Sequence, residues 1–247
     1  MYYHIELTPK KELPDNVEEL LWQFLASLVQ NGQILKDEYT IFHNGNYYLA
    51  VTTPKVDSLE EKFDGPYVRR DREKLQAFFD LRLIPMGENR NSQEYCRCES
   101  HPAIEMETCR GDIDSPFVCC GCGKPIALYA LPYPLDRDTY FETLCWQDDY
   151  SAMDLLWMRC LCDRYTSNQL VNPDSALNKL GRALARDLQE KLDIPVYYHM
   201  FDDGRKKIRF TEDGQHRLCP VCEVPMHSLP VDDYEIDICE KCGLSSG

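Results

Sequence analysis

Hydrophobic and polar positions alternate with two different periods near the start of the chain. Tyr2–Thr8 alternates with period two and is followed by Pro9, which predicts a half-buried strand. The next apolar residues recur at helical spacing and predict a helix that Asp15 caps and Gly32 ends. The apolar face of this helix comprises Leu20, Leu21, Phe24, Leu25 and Leu28.

Strand and helix signals continue to alternate up to residue 90. Residues 39–42 and 47–53 read as two strands that flank an Asn-Gly turn, the commonest short hairpin signal. A helix over 74–79 and a strand over 81–84 follow. This order predicts a small α+β domain, sandwich-like in its layering, over residues 1–90.

A helical pattern dominates the chain after residue 138. Two helices are predicted, over 140–164 and 175–192, with Asn-Pro-Asp between them. Residues 195–201 read as a strand, and 207–210 as its partner in a hairpin across an Asp-Asp-Gly turn. The helices therefore stand between two segments that are rich in cysteine.

These changes of pattern divide the α+β chain into four segments. Two Cys-rich zinc ribbons flank the helical part, and both lie downstream of the N-terminal domain. The predicted segments are an N-terminal α+β domain over 1–90, a first zinc-ribbon-like module over 91–135, a helical segment with a β-hairpin over 136–214, and a C-terminal zinc ribbon over 215–247.

The C-terminal module carries two Cys-x-x-Cys pairs. Cys219 and Cys222 form the first pair, and sixteen residues separate it from Cys239 and Cys242. Two thiolates three residues apart can share one tetrahedral zinc ion, and a hairpin brings a second pair opposite them. Gly243 supplies the positive φ that such a turn favours. A segment this short buries little apolar surface, so bound zinc is expected to supply its folding energy.

The first module is less regular. Cys119 and Cys122 form a Cys-x-x-Cys pair, whereas its partner pair, Cys96 and Cys98, has a single intervening residue. These four residues are the predicted ligands of the first zinc ion. A site that has lost its metal remains an alternative. Three further residues are spare ligand candidates: Cys109, Cys120 and His101.

Three other cysteines lie in the predicted helical region. Cys145, Cys160 and Cys162 are surrounded by Trp and Leu residues, and free cysteine commonly packs as a small hydrophobic side chain. We expect them in the core and exclude them from the metal sites.

From about residue 93 onward the chain resembles a bacterial family of unassigned function that is described as zinc-ribbon-containing, with nucleic-acid binding suggested by its name. The resemblance rests on the order of several motifs: Val118–Pro132 with its Cys119 and Cys122, Cys145–Tyr150, Pro195–Tyr198, Cys219–Cys222 and Cys239–Cys242. It implies zinc binding. The Cys-x-Cys pair at Cys96 departs from the Cys-x-x-Cys that the family has there.

The net charge of the chain indicates which class of partner it binds. The chain has 27 Lys and Arg against 42 Asp and Glu, a net charge of −15, and residues 91–247 hold 16 of the basic and 27 of the acidic residues. An acidic surface disfavours a phosphate backbone and favours a basic protein partner. The residues after Met1 turn polar at once, and no apolar run has membrane-spanning length, so a cytoplasmic location without membrane attachment is expected.

Catalytic motifs do not emerge from the sequence. It contains no Walker loop, no Gly-x-Ser-x-Gly and no His-Glu-x-x-His. A catalytic zinc keeps one coordination position open, whereas four cysteines close a tetrahedron. We therefore expect a protein that is not an enzyme.

The favoured hypothesis is an immunity protein that neutralises a secreted antibacterial toxin. In the most specific form of this hypothesis the toxin is a nuclease. Such a toxin carries a basic substrate groove that an acidic surface can occupy. The candidate acidic residues are Asp232, Asp233, Glu235, Asp237 and Glu240.

The alternative hypothesis is a nucleic-acid-associated protein. Its support is a basic run near the second ribbon, with Arg217 close by and with Tyr197 and Tyr198 available for base stacking. A second basic cluster, 69–74, is interleaved with acidic residues. The candidate nucleic-acid-binding residues are Arg205, Lys206, Lys207 and Arg209.

Overall fold

The computed structural model describes residues 1–36, 38–88, 94–112, 114–133, 137–204 and 209–246. Its contacts divide the chain into two compact units. The first comprises the described residues of Met1–Tyr95, Ile113–Ser115 and Ala127–Phe141, and the second those of Cys96–Asp112, Pro116–Ile126 and Glu142–Gly247. The division of the chain into four segments stays a prediction.

The first unit is a four-stranded antiparallel sheet covered on one face by two helices. The strand order is β2-β3-β1-β4, the arrangement of the β-α-β-β-α-β motif. Two 3₁₀ turns, Glu61–Phe63 and Leu128–Ala130, also belong to this unit. The elements in chain order are β1 Tyr2–Pro9, α1 Val17–Gln30, β2 Tyr39–Asn44, β3 Asn46–Thr52, α2 Pro66–Gln76 and β4 Phe79–Gly87.

The core of the first unit lies between its sheet and helices, as the hydrophobic pattern predicts. Alternate residues of β1 pack against the apolar face of α1, so that Ile5, Leu7, Leu21 and Phe24 are all buried. The cap prediction is wrong by one residue, because Asn16 and not Asp15 precedes the helix. Gly32 has a φ of +70° just after the helix, where a left-handed residue ends it.

The second unit is a seven-stranded mixed sheet with helices packed on one face. The strand order is β7-β6-β5-β8-β11-β10-β9, with β5, β8 and β11 parallel and the outer strands antiparallel. Its elements are β5 Ile104–Met106, β6 Phe117–Cys119, β7 Lys124–Pro125, α3 Phe141–Met158, α4 Asp163–Val171, α5 Ala176–Leu192, β8 Val196–His199, β9 His227–Val231, β10 Tyr234–Cys239 and β11 Leu244–Ser246.

Aromatic side chains fix α3 and α5 on this sheet. The rings of Trp146 and Tyr198 are 5.7 Å apart and edge-on, and both side chains are fully buried. Asn178 accepts a hydrogen bond from the Tyr198 hydroxyl at 2.8 Å. The helices therefore pack on the face of β8 to which Tyr198 points, and the neighbouring residues Tyr197 and His199 point to the other face.

Two predictions for the region after residue 138 are wrong. The helix predicted over 140–164 ends at Met158, and α4 begins at Asp163, because Cys160 and Cys162 adopt left-handed φ values of +54° and +53°. Both sides of β8 are occupied, by β5 and β11, so β8 does not pair with the strand predicted over 207–210, of which 207 and 208 lie outside the described residues. No helix of the described residues is long and apolar enough to cross a membrane.

Candidate metal centres

Four cysteine sulfurs converge at the end of the β9–β10–β11 hairpins. The Sγ atoms of Cys219, Cys222, Cys239 and Cys242 all lie within 4.8 Å of one another, and those of Cys222 and Cys239 are 3.6 Å apart. Four sulfurs around a tetrahedral zinc ion at about 2.3 Å are about 3.8 Å apart, so the group has the size of a tetrathiolate site. Two of the four residues are buried.

Backbone turns orient these four sulfur atoms toward one another. The carbonyl of Cys219 accepts a hydrogen bond from the N–H of Glu223 at 3.0 Å, and the carbonyl of Cys239 accepts one from the N–H of Cys242 at 3.2 Å. The residue after each pair is left-handed, with a φ of +58° at Glu223 and +61° at Gly243. Each Cys-x-x-Cys pair therefore forms a tight turn that points both sulfurs to one side.

The first group of four sulfurs is also assembled. Cys96, Cys98, Cys119 and Cys122 place their Sγ atoms within 4.8 Å of one another, with 3.4 Å between those of Cys96 and Cys122. The Cys119 carbonyl accepts hydrogen bonds from the N–H groups of Cys122 at 3.2 Å and Gly123 at 2.8 Å. This turn repeats the geometry of the second group.

The Cys96–Cys98 pair differs from the other three pairs. With one intervening residue there is no room for the four-residue turn, and the Cys98 N–H instead donates to the Cys96 sulfur at 3.4 Å. The Cys96 N–H donates to the carbonyl of Pro125, the last residue of β7, at 2.8 Å. Pairing with the sheet thus replaces the missing turn as the means of positioning this sulfur.

The spare candidates occupy three different places. His101 Nδ1 lies 3.3 Å from the Cys119 sulfur and 3.9 Å from the Cys96 sulfur, which suits a donor to a metal-bound thiolate. Cys120 is buried in an apolar cluster with Tyr197 and Ile238. Cys109 is exposed.

The pKa values of the thiols differ within each group. A hydrogen bond from the Val224 N–H lowers the pKa of Cys222 to about 7, with further contributions from the neighbouring thiols. Burial raises the pKa of Cys239 to about 11 and that of Cys242 well above its usual range. In the first group, burial raises the pKa of Cys96 and Cys119. A divalent cation would deprotonate these thiols on binding.

The remaining cysteines are not all in the core. Cys145 is half-buried, but Cys160 and Cys162 are exposed, which corrects the expectation of core packing. They lie in the left-handed connection between α3 and α4, whose backbone turns their side chains outward. The sequence around them has the composition of a helix interior and does not show this break.

The structure does not support base stacking on the predicted tyrosines, since Tyr197 and Tyr198 are buried. Arg205, Lys206 and Lys207 lie outside the described residues. Arg209 is exposed and forms an ion pair with Glu223 at 2.7 Å. In the cluster over 69–74, Arg72 is buried against Asp64, and Arg70 and Lys74 both pair with Asp71. These cations are matched by carboxylates of the chain itself.

Three family models match parts of the chain. Residues 99–201 match a domain of unknown function (DUF2310), and residues 3–83 match another (DUF8589). Residues 218–243, which include all four cysteines of the second group, match the TFIIB-type zinc ribbon described as a transcription factor zinc-finger.

Two relatives come from Haemophilus influenzae, and each is described as an uncharacterized protein. One is 26% identical over 249 residues, which cover 95% of this chain and 93% of the relative. The other is 30% identical over 108 residues, 42% of this chain and about half of its own length, 51%. The chain therefore has a mixed α+β fold with two groups of four cysteines that fit zinc ribbons, and the second group lies in the segment that is similar to the TFIIB-type zinc ribbon.

Proposed function

We propose that the protein is a non-catalytic binding protein, in which two structural zinc ions support an acidic surface for a basic protein partner. Each tetrathiolate group offers four cysteines to one ion, which leaves no coordination position for a substrate. The zinc ions then act on folding, as expected where short Cys-rich segments replace a larger apolar core.

The β9–β10 hairpin is the main observation that supports this proposal. Its turn exposes a tyrosine, Tyr234 at 42%, between carboxylates that are all exposed. A Cβ atom built on Gly123 would lie 3.5 Å from the Tyr234 ring and 3.6 Å from the Asp232 Cβ, so the turn packs on the first Cys-x-x-Cys turn. A fixed tyrosine ringed by negative charge suits a basic protein surface. The exposed carboxylates are Asp232, Asp233 and Glu235.

The sharper form of the proposal is an immunity protein against a nuclease toxin. A nuclease binds phosphate through a basic groove, and carboxylates on a rigid hairpin can occupy such a groove as phosphate mimics. Electrostatic attraction of this kind also speeds association, which an inhibitor of a fast toxin requires. Cytoplasmic location, where the toxin would act, is part of the same proposal.

Co-expression tests this form of the proposal. If the gene adjacent to this one encodes a toxin domain, the two genes are expressed together in a host cell. The survival of the host cells is then measured. We expect the wild-type chain to protect, and the double variant Asp233→Asn, Tyr234→Ala to lose protection. Tyr165→Ala, at another exposed tyrosine, serves as the matched control and retains it. A wild-type chain that leaves the cells unprotected would contradict the immunity role.

Single-stranded nucleic acid is the second candidate partner, and the open face of the N-terminal sheet favours it. On this face the rings of Phe42 and Tyr48 stack at 4.9 Å with an interplanar angle of 10°, and His4 lies edge-on to Phe42 at 5.3 Å. Aromatic side chains on a four-stranded sheet form the usual platform for stacked bases. The Glu6 carboxylate beside Tyr48, at 2.9 Å from its hydroxyl, opposes a phosphate backbone.

A salt titration separates the two partners. Fluorescently labelled single-stranded RNA and DNA are titrated with the protein from 50 to 200 mM salt, using wild type and Phe42→Ala. The proposal predicts weak binding that Phe42→Ala leaves unchanged. Tight binding with a steep salt dependence that Phe42→Ala abolishes would instead assign nucleic acid as the partner.

A further inference from the structure

Apart from the two sulfur groups, the described residues contain one further cluster of metal-binding side chain types, on the face of the second sheet to which Tyr197 also points. Glu105 lies on β5 and Glu107 just beyond its end, two residues apart, so both point to the same face. His199 is the last residue of β8, which pairs with β5 in parallel. One donor atom from each of the three residues lies within 4.8 Å of the other two.

The contacts of Glu105 set the geometry of this cluster. Its Oε1 atom lies 3.0 Å from His199 Nδ1 and accepts a hydrogen bond from the Ser245 hydroxyl at 2.6 Å. The Glu105 side chain is 2% exposed and that of His199 is 26% exposed. Neighbouring ligands of an octahedral ion at about 2.1 Å are about 3.0 Å apart, which is the separation of these two atoms.

Charge in the cluster is incompletely balanced. The Glu107 carboxylate is half-buried and receives no hydrogen bond or ion pair from the described part of the chain. Burial and then the nearby Glu105 charge raise the pKa of Glu107. Two carboxylates at one partly desolvated point are stabilised by a cation. His199 supplies at most one positive charge, and Arg217, whose charge acts on His199, pairs with Asp202 at 3.2 Å.

We propose that Glu105, Glu107 and His199 bind a divalent first-row transition-metal ion, with Mn²⁺ as the probe of choice. Two carboxylates and one imidazole are hard to borderline ligands, unlike the thiolates of the other two groups. Three protein ligands leave further positions for water or for an anionic ligand. Because Glu105 belongs to β5, His199 to β8 and Ser245 to β11, the ion would link the strands that join the two Cys-rich hairpins.

Electron paramagnetic resonance of the full, zinc-loaded chain tests this site. Mn²⁺ is added in steps, and the loss of its free aqueous signal counts the bound ions, because tetrathiolate groups have little affinity for Mn²⁺. We expect one tightly bound Mn²⁺ per chain, with a nitrogen coupling from His199 in the pulsed spectrum. Absence of that coupling in the wild-type protein overturns the proposal without any variant.

Variants then assign the ligands. Glu107→Gln keeps the shape of the side chain and removes its charge, and we expect Mn²⁺ affinity to fall at least about tenfold. His199→Gln is the second variant, expected to lose the nitrogen coupling. Glu190→Gln, an exposed carboxylate on α5, is the matched control. Retained zinc content and circular dichroism show that each variant is folded. Equal affinity in Glu107→Gln and Glu190→Gln would mean that a shared proton, and not a metal, balances the cluster.

Discussion

Gly181 lies where α5 meets two aromatic side chains of the second unit. A Cβ atom at this position would lie 2.2 Å from Tyr198 Cε2 and 2.6 Å from Trp146 Nε1. Both rings are buried, and neither can move without displacing the sheet or α3. The absence of a side chain at Gly181 therefore sets how closely the helix approaches β8.

The variant Gly181→Ala tests this packing. We expect it to lower the free energy of unfolding by about 1–3 kcal/mol, the usual effect of overpacking a core, despite the better helix propensity of alanine. Urea denaturation followed by tryptophan fluorescence measures the change. Lys191→Ala, exposed on the same helix, is the control and should change stability by less than about 0.5 kcal/mol. A Gly181→Ala variant as stable as this control would contradict the packing described.

The thiols also predict a pH dependence. Metal binds thiolates, so protons compete with zinc, and zinc affinity falls as the pH falls. The Val224 N–H lowers the pKa of Cys222 to about 7, so this thiol is mostly ionised above pH 7. Below pH 7 it is protonated, and zinc must then displace one more proton to bind. We expect the affinity of the second site to fall more steeply between pH 7 and 6 than between pH 8 and 7. Competition with a chromophoric chelator at each pH measures it, and an affinity independent of pH would contradict thiolate ligation.

At the residue level, cysteine spacing is a strong signal because two thiolates three residues apart already imply a turn and a shared ion. For three of the four pairs the sequence therefore predicts which cysteines come together, whereas Cys96 and Cys98 lack this spacing and Cys96 is positioned by a hydrogen bond to β7. It does not predict the exposure of Cys160, which depends on a left-handed backbone within an apparently helical stretch. Nor does it predict that Glu105 meets His199, since these residues are 94 positions apart and meet only through sheet pairing.

β1, α1 and the β2–β3 hairpin of the first unit follow from their hydrophobic periods, whereas the helix predicted over 74–79 is wrong, because α2 spans Pro66–Gln76 and Phe79 already begins β4. The second sheet is harder to predict. Its central strands β5, β8 and β11 are short, parallel and distant in sequence, and such pairing leaves no local pattern. The prediction of a local hairpin after β8 fails for this reason.

The turns that follow β6 and β10 are the elements on which each metal group depends. Cys122→Ser and Cys242→Ser each remove one sulfur, and we expect the zinc content to fall from two ions to one per chain in either variant, because three cysteines hold a structural ion poorly. Elemental analysis of the purified variants measures it. Cys160→Ser, at an exposed cysteine outside both groups, should retain both ions. Two zinc ions in Cys122→Ser would show that the first group is not a metal site.

At the scale of the whole molecule, the two units differ in what stabilises them. The first has an apolar core between helices and sheet and contains no cysteine. The second holds its outer strands through two sulfur groups at the ends of short hairpins. Sequence composition locates the Cys-rich segments, whereas the assignment of 127–141 to the first unit depends on contacts that are distant along the chain.

Metal removal tests the central claim, that two tetrathiolate zinc ions hold the second unit together. Zinc is counted by elemental analysis before and after treatment with a strong chelator under reducing conditions, and near-ultraviolet circular dichroism and hydrogen exchange follow the fold. We predict two zinc ions per chain, and after chelation a loss of protection in the second unit, with β1 and α1 of the first unit still protected. A protein that contains no zinc as purified, or whose second unit keeps its protection after complete chelation, would contradict the account.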